Sequence, residues 1–189
     1  AGDVPEAATA FTLDQGVIEG GSIRFSDAAT GRVIALDDVD ATLAIPDYSG
    51  PFTLQIAGLS QGQPLSLDLT GDVFSAFLAG RVVPMTIKLA VGGSTVAFEG
   101  RGGFSPLMGA GVLAADLSDL PALGGLLGSD LAQPGPGMGQ DKLTLSGKLT
   151  LDGSGAAYLR GAEIVADTNR LTGDFDLVSG EKRPKLTAQ

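Results

Sequence analysis

Apolar and polar side chains alternate along most of this chain, as in Phe52-Thr53-Leu54-Gln55-Ile56, Leu65-Ser66-Leu67-Asp68-Leu69-Thr70, Met85-Thr86-Ile87-Lys88-Leu89, Leu143-Thr144-Leu145-Ser146 and Leu171-Thr172-Gly173-Asp174-Phe175-Asp176-Leu177. Successive side chains of a β-strand point to opposite sides. Each run therefore lays its Leu, Ile and Phe on one surface and its Thr, Ser, Asp and Lys on the other. Further strands are expected at 17–25, with a bulge, and at 33–36, 39–45, 96–100, 111–117, 156–159 and 161–167, and Val73–Leu78 reads as part of the same succession. Turn signals recur roughly every 8 to 12 residues and long crossovers are missing, so the pattern predicts an all-β, antiparallel meander.

The period changes once. Ser118-Asp119-Leu120-Pro121-Ala122-Leu123-Gly124-Gly125-Leu126-Leu127-Gly128 offers a capping residue, an early Pro and Leu at near-helical spacing, which predicts one short helix over 118–128. Its two central Gly residues weaken it by about 1 kcal/mol each. In the loop 129–141 that follows, Gln133-Pro134-Gly135-Pro136-Gly137-Met138-Gly139 excludes regular structure and reads as an internal linker. Residues 1–15 read as a polar leader and 16–189 as one β domain. A new strand begins over 182–189 and reads as interrupted, so the chain is expected to be a fragment cut from something longer.

Composition fits a single β domain with a core: the 189 residues are 43% hydrophobic and 18% charged, punctuated by 29 Gly and 10 Pro. The net charge of −10 speaks against a nucleic-acid partner. Seventeen of the 22 acids are Asp. Asp27, Asp37, Asp38, Asp72, Asp152 and Asp167 fall at strand ends or on the polar face, where Asx turns and solvated edges account for them. Asp37-Asp38-Val39-Asp40 lacks the regular spacing and turn Gly of a calcium loop. No run approaches the ~20 apolar residues of a membrane helix, and the first residues do not resemble a cleavable signal.

Candidate chemistry is sparse. The chain has no Cys and no His, which removes thiol chemistry, zinc–cysteine sites and the commonest general base. Gly58-Leu59-Ser60-Gln61-Gly62 matches the G-x-S-x-G nucleophile elbow, but it joins two strands rather than a strand and a helix. Ser179-Gly180-Glu181-Lys182 has the spacing of a Ser–Lys dyad but lies in a turn rather than on a helix. Asp174 and Asp176 share a strand face about 7 Å apart, as glycosidase carboxylates do, without an aromatic cleft around them. Gly92-Gly93 and Gly100–Gly103 form no phosphate-binding fingerprint. We therefore expect no enzyme, no metal and no cofactor.

What remains is the extent of the one-sided apolar surface: Ile23, Phe25, Leu43, Ile45, Phe52, Leu54, Ile56, Leu65, Leu67, Leu69, Met85, Ile87, Leu89, Val96, Phe98, Leu143, Leu145, Leu149, Leu171 and Phe175. Two halves of the meander could pack face to face as a sandwich and bury these residues in a dry core. Alternatively, a strongly curved sheet could hold acyl chains on a concave apolar face, with the Leu120–Leu127 helix closing one end. Periodicity alone leaves both open.

Gly20-Gly21-Ser22-Ile23-Arg24-Phe25-Ser26-Asp27, then Thr30-Gly31, then Leu36-Asp37-Asp38-Val39-Asp40-Ala41-Thr42-Leu43 resembles a stretch of the AsmA-like proteins. Gly50-Pro51-Phe52 with Leu65-Ser66-Leu67, Asp119-Leu120-Pro121-Ala122-Leu123, and Leu171-Thr172-Gly173 running to Arg183-Pro184-Lys185-Leu186-Thr187-Ala188 are similar to the same family in the same order, over roughly residues 16 to 189. The resemblance implies a periplasmic β-groove of a protein anchored in the inner membrane through parts outside this chain. Its partner would be phospholipid or another acyl lipid, lying against the one-sided apolar surface from Ile23 to Phe175 and moving toward the outer membrane of Gram-negative bacteria. The alternative is a structural scaffold with a dry core that assists outer-membrane protein assembly. A dimer through an unpaired strand edge is a further expectation.

Overall fold

Each strand pairs with the one before it in the chain. The structure, a computed structural model, describes residues 11–27, 32–178 and 185–188. Its elements are β1 (Leu13–Asp27), β2 (Arg32–Ile45), β3 (Phe52–Ser60), β4 (Gln63–Gly71), α1 (Phe74–Leu78), β5 (Val83–Val91), β6 (Ser94–Phe104), β7 (Leu107–Asp116), α2 (Leu120–Leu126), β8 (Leu143–Asp152), β9 (Ala157–Ala166), β10 (Asn169–Val178) and β11 (Lys185–Ala188). The 11 strands among the described residues form one antiparallel sheet in chain order, the meander expected from the alternating runs.

Register turns the alternation of single strands into rows that cross the sheet. Ile18, Ala41, Ile56, Leu67, Leu89, Val96, Ala115, Leu145, Ile164 and Leu171 stand opposite one another, one from each strand of β1–β10. At a spacing of roughly 4.8 Å between strands, this row is about 43 Å long. A parallel row of Leu43, Leu54, Leu69, Ile87, Phe98 and Leu113 runs beside it from β2 to β7. By this register, no Asp, Glu, Lys or Arg of β3–β10 stands on the apolar side.

Two devices bend the sheet. In the first, β1, β2 and β9 each carry a bulge with a residue in the left-handed region: Gly20 (φ 57°), Asp38 (φ 49°) and Gly161 (φ 56°). Such bulges bend a strand and strengthen its twist. Two of them are held the same way, Gly20 N–H donating to Asp40 Oδ1 at 2.9 Å and Gly161 N–H to Asp174 Oδ1 at 2.8 Å. The second device lies between β6 and β7, where Gly100 faces Gly111 and Gly102 faces Gly109. A Cβ added to Gly100 would lie 2.3 Å from the Ala110 carbonyl oxygen, and one on Gly111 2.3 Å from that of Glu99. Both positions are on the apolar side, so the neighbouring backbones fold toward each other on that side. Only glycine permits the crease.

The two helices sit at opposite ends of the middle strands. α2 is the helix expected over 118–128: Asp119 caps it by accepting the Ala122 N–H at 3.1 Å, and Pro121 stands in its first turn. Its central glycines have a local cause. A Cβ on Gly124 would lie 2.6 Å from the Ser129 carbonyl oxygen, and one on Gly125 2.9 Å from Gln61 Oε1. α2 is pinned to the β5–β6 hairpin, where Asp119 Oδ2 accepts the Gly93 N–H at 3.1 Å and Ser94 Oγ accepts the Asp119 N–H at 2.9 Å. Ala122 closes a small core with Leu65 and Val91, against which Leu36, Ile56, Leu89, Leu123 and Leu126 pack.

Some sequence expectations need revision. Val73–Leu78 is not part of a strand: α1 turns there because Phe74 and Phe77, three residues apart, both meet Phe52, at centroid distances of 5.4 and 5.0 Å. The β3–β4 turn shrinks to Gln61-Gly62, both at positive φ, and the strands extend over residues first read as turn. β1 begins at Leu13, inside the expected leader, of which residues 1–10 lie outside the described residues. Over 133–140 the chain is irregular, yet it is fastened rather than free. Gln133 Nε2 donates to the Ser118 and Gln140 carbonyls, both at 3.0 Å, and Asn169 Nδ2 to the Gly137 carbonyl at 2.8 Å.

Candidate functional site

Of the two arrangements left open by periodicity, the chain takes the single layer. A dry sandwich would bury the middle rows, but Leu54, Ile56, Leu67, Leu69, Ile87, Leu89, Val96 and Phe98 are only half-buried. The closed parts of the molecule lie elsewhere, with Leu65 and Val91 under α2 and Phe52, Ala76 and Val83 around α1. Between α1 and α2, which pack on the two ends of their apolar side, β3–β6 leave a trough with no second sheet over it among the described residues. Exposure rises toward both lateral edges, to 54% at Ile18 in β1 and 55% at Leu171 in β10.

The expected contact residues therefore fall into two groups. Register places Ile23, Leu43, Leu54, Ile56, Leu67, Leu69, Met85, Ile87, Leu89, Val96, Phe98, Leu143, Leu145, Leu149, Leu171 and Phe175 on this one side of the sheet. Ile45, Phe52 and Leu65 share the side but are buried, the last two against the protein's own helices, so they hold the fold and present no free surface to a ligand. The side chain of Phe25 lies outside the described residues. Ile18, Leu36, Leu113, Leu159 and Ile164 also belong to the apolar side and were not anticipated. Ile18 and Ile23, Leu36 and Ala41, and Leu159 and Ile164 are each five residues apart, an odd offset that reaches the same face only because a bulge lies between them.

The structure places two of the three catalytic look-alikes. Ser60 is the last residue of β3, paired with Gln63 across the turn and 2% exposed, its hydroxyl without a hydrogen-bond partner. With no His in the chain, that hydroxyl has no imidazole base. Ser179 lies outside the described residues. Asp174 and Asp176 face Arg160, which Asp176 engages directly and whose Nε lies 3.9 Å from Asp174. That pairing, chiefly the hydrogen bond to Asp176, raises the guanidinium's pKa above its ordinary value. On the polar side, a hollow of about 570 Å³ is lined by Glu19, Asp40, Thr42, Gln55, Ser66 and Asp68. Two of its acids are engaged, Asp40 by Gly20 and Asp68 by Gln55 Nε2 at 3.0 Å. No group of three or more metal-ligating side chains occurs among the described residues, and no helix there is long and apolar enough to cross a membrane.

Two of the turn aspartates fasten the turns at the two ends of β9. Asp152 accepts the Ser154 hydroxyl at 2.7 Å and N–H at 2.9 Å, and the hydroxyl contributes most to holding this carboxyl below its ordinary range. Asp167, in the left-handed region at φ 54°, accepts the N–H groups of Gly139, Asp141 and Lys142 at 3.0, 2.9 and 3.1 Å. The Gly139 bond leads the causes that depress its pKa. A carboxyl depressed by folding stabilises the fold at pH values above its unfolded pKa, and the contribution is lost as pH falls through the lower folded value. Amide-exchange protection of Gly139, Asp141 and Lys142 is therefore expected to hold at neutral pH and to fade below about pH 4. In Asp167→Asn it should be weakened at neutral pH and nearly independent of pH in that window. Equal protection in the variant would mean that other contacts hold the loop.

Compared with known protein families, characterised proteins and solved structures, the chain matches none of them. The functional reading therefore rests on the residues.

Proposed function

We propose that this chain is a non-enzymatic lipid-binding module that holds the acyl chains of phospholipid, or of a similar lipid, on the apolar side of its sheet. One observation carries the reading: eight consecutive strands, β3–β10, share an uncharged side that, among the described residues, no second layer covers between the two helices. Each acyl methylene removed from water onto such a surface contributes about 0.8 kcal/mol, so affinity would come from chain length more than from headgroup chemistry. Leu67, Ile87, Leu89 and Phe98 form the floor, while Asp68, Lys88 and Glu99 on the opposite side meet water.

The resemblance to AsmA-like proteins gives this module its setting: the periplasm, in a protein anchored to the inner membrane and contributing to lipid transport toward the outer membrane and to its homeostasis. The rows running off both edges at Ile18 and Leu171 suit a surface along which a lipid slides from strand to strand rather than a closed pocket for one molecule. A vesicle-to-vesicle transfer assay with fluorescent phospholipid tests the module's activity. Accelerated transfer by the wild-type chain, lost when Ile87 is changed to Asp, supports it. Transfer no faster than in the absence of protein counts against it.

A further inference from the structure

At the end of the sheet where β6 turns into β7, the apolar side chains continue past the rim. Phe104 pairs with Leu107 across the hairpin, and the two are 50% and 65% exposed, with Leu78 of α1 at 51%. α1 and the hairpin form one surface. The Phe104 and Phe77 rings are 5.0 Å apart, and a Cβ added to Gly80 would lie 2.7 Å from the Ser105 carbonyl oxygen. Behind this surface, Phe104, Phe77, Phe52, Phe74, Phe11 and Tyr48 follow one another with neighbouring centroids between 5.0 and 6.1 Å. Six of the chain's ten aromatic residues are thus gathered into a stiff support for an exposed apolar tip.

Two cations lie at this end of the sheet, Arg101 on the face of β6 opposite to Phe104. Arg81 follows Gly80, and Arg101 lies on β6 with Nη2 donating to the Val82 carbonyl at 3.4 Å. Both are exposed, and among the described residues neither is ion-paired, whereas Arg160 and Arg170 are. Arg81 and Arg101 put positive charge beside the apolar tip of a chain whose net charge is −10. Of the acids at the same end, Asp152 has its carboxylate turned onto Ser154 and Ala156, while Asp72, whose N–H donates to the Pro84 carbonyl, is exposed.

A contiguous exposed apolar patch marks an interaction surface, and its chemistry selects the partner. A purely apolar partner would leave Arg81 and Arg101 uncompensated. An anionic bilayer offers phosphates at any register and, just beneath them, an apolar layer for Phe and Leu. We propose that the β6–β7 hairpin and α1 dock this chain on an anionic membrane surface, Phe104 and Leu107 entering the boundary between headgroups and acyl chains while Arg81 and Arg101 meet the phosphates. Docking of this kind is independent of whether lipid occupies the trough.

The test is flotation of the 189-residue chain with vesicles of phosphatidylglycerol and phosphatidylcholine, or of phosphatidylcholine alone. We expect binding to the anionic vesicles that weakens as salt rises, falls about tenfold or more in Phe104→Ser with Leu107→Ser, and falls severalfold in Arg81→Glu with Arg101→Glu. Leu107→Ser alone, at the most exposed of these sites, guards against a folding defect and should also weaken binding. Leu67→Asp should float like wild type, which separates membrane docking from occupancy of the trough. A wild-type chain that binds no vesicles, or a Leu107→Ser variant that binds as wild type does, overturns the assignment. So does a protein partner captured through these residues without vesicle binding.

Discussion

Leu67→Asp is expected to leave a folded protein that has lost its lipid. Leu67 stands at the middle of the long apolar row, between Ile56 and Leu89, and is half-buried rather than enclosed. In the empty trough a carboxylate there still reaches water, so folding should be little affected. Under acyl chains the same carboxylate would be desolvated without a partner, because no cation of β3–β10 stands on that side, and burying an unpaired charge is strongly unfavourable. Lipid retention should fall at least about tenfold, while the unfolding midpoint in urea stays close to wild type. Outright unfolding would mean that the row is a closed core after all. A folded variant retaining lipid normally would remove this face from the site.

The second large effect is expected at the crease. In Gly111→Val the new Cβ would lie 2.3 Å from the Glu99 carbonyl oxygen and 2.7 Å from Gly100 Cα. Both obstacles are backbone, so no side-chain rotation relieves them. Either the crease opens or the β6–β7 pairing breaks, and we expect a loss of about 3 kcal/mol or more, at the upper end of what overpacking causes. Gly111→Ala should already be destabilised for the same reason. Gly135→Ala serves as the control, since nothing lies within 4 Å of the Cβ it would add. Urea unfolding that ranks Gly111→Val with Gly135→Ala would show that β6 and β7 are not creased.

The sequence announced strands and faces better than it announced curvature. Runs such as Leu65–Thr70 and Met85–Leu89 are regular strands, so period two alone places their side chains correctly. The same rule fails across Gly20, Asp38 and Gly161, where one extra residue returns the chain to the same face after an odd number of steps. Ile18, Leu159 and Ile164 were missed for that reason. Gly100 and Gly111 carry no sign in the sequence that they face each other, because that depends on the register of two strands. α1 was hidden similarly: five residues are too few to reveal a helical period, and Phe52, which fixes the turn, lies more than 20 positions earlier. Nor does one strand's pattern say what covers its apolar side. That Leu65 and Phe52 are sheltered by α2 and α1 while Leu67 and Ile87 are not follows only from where the two helices come to rest.

The central claim is that the trough is occupied by acyl lipid, and lipid mass spectrometry of the chain purified in mild buffer tests it most directly, beside a comparably acidic β-sandwich as control. The account predicts phospholipid or a similar acyl lipid in stoichiometric amount with the wild-type chain, little with Leu67→Asp and none with the control. A wild-type chain that is lipid-free, monomeric and cooperative in unfolding would contradict it and make the apolar side of the sheet a part of the fold alone.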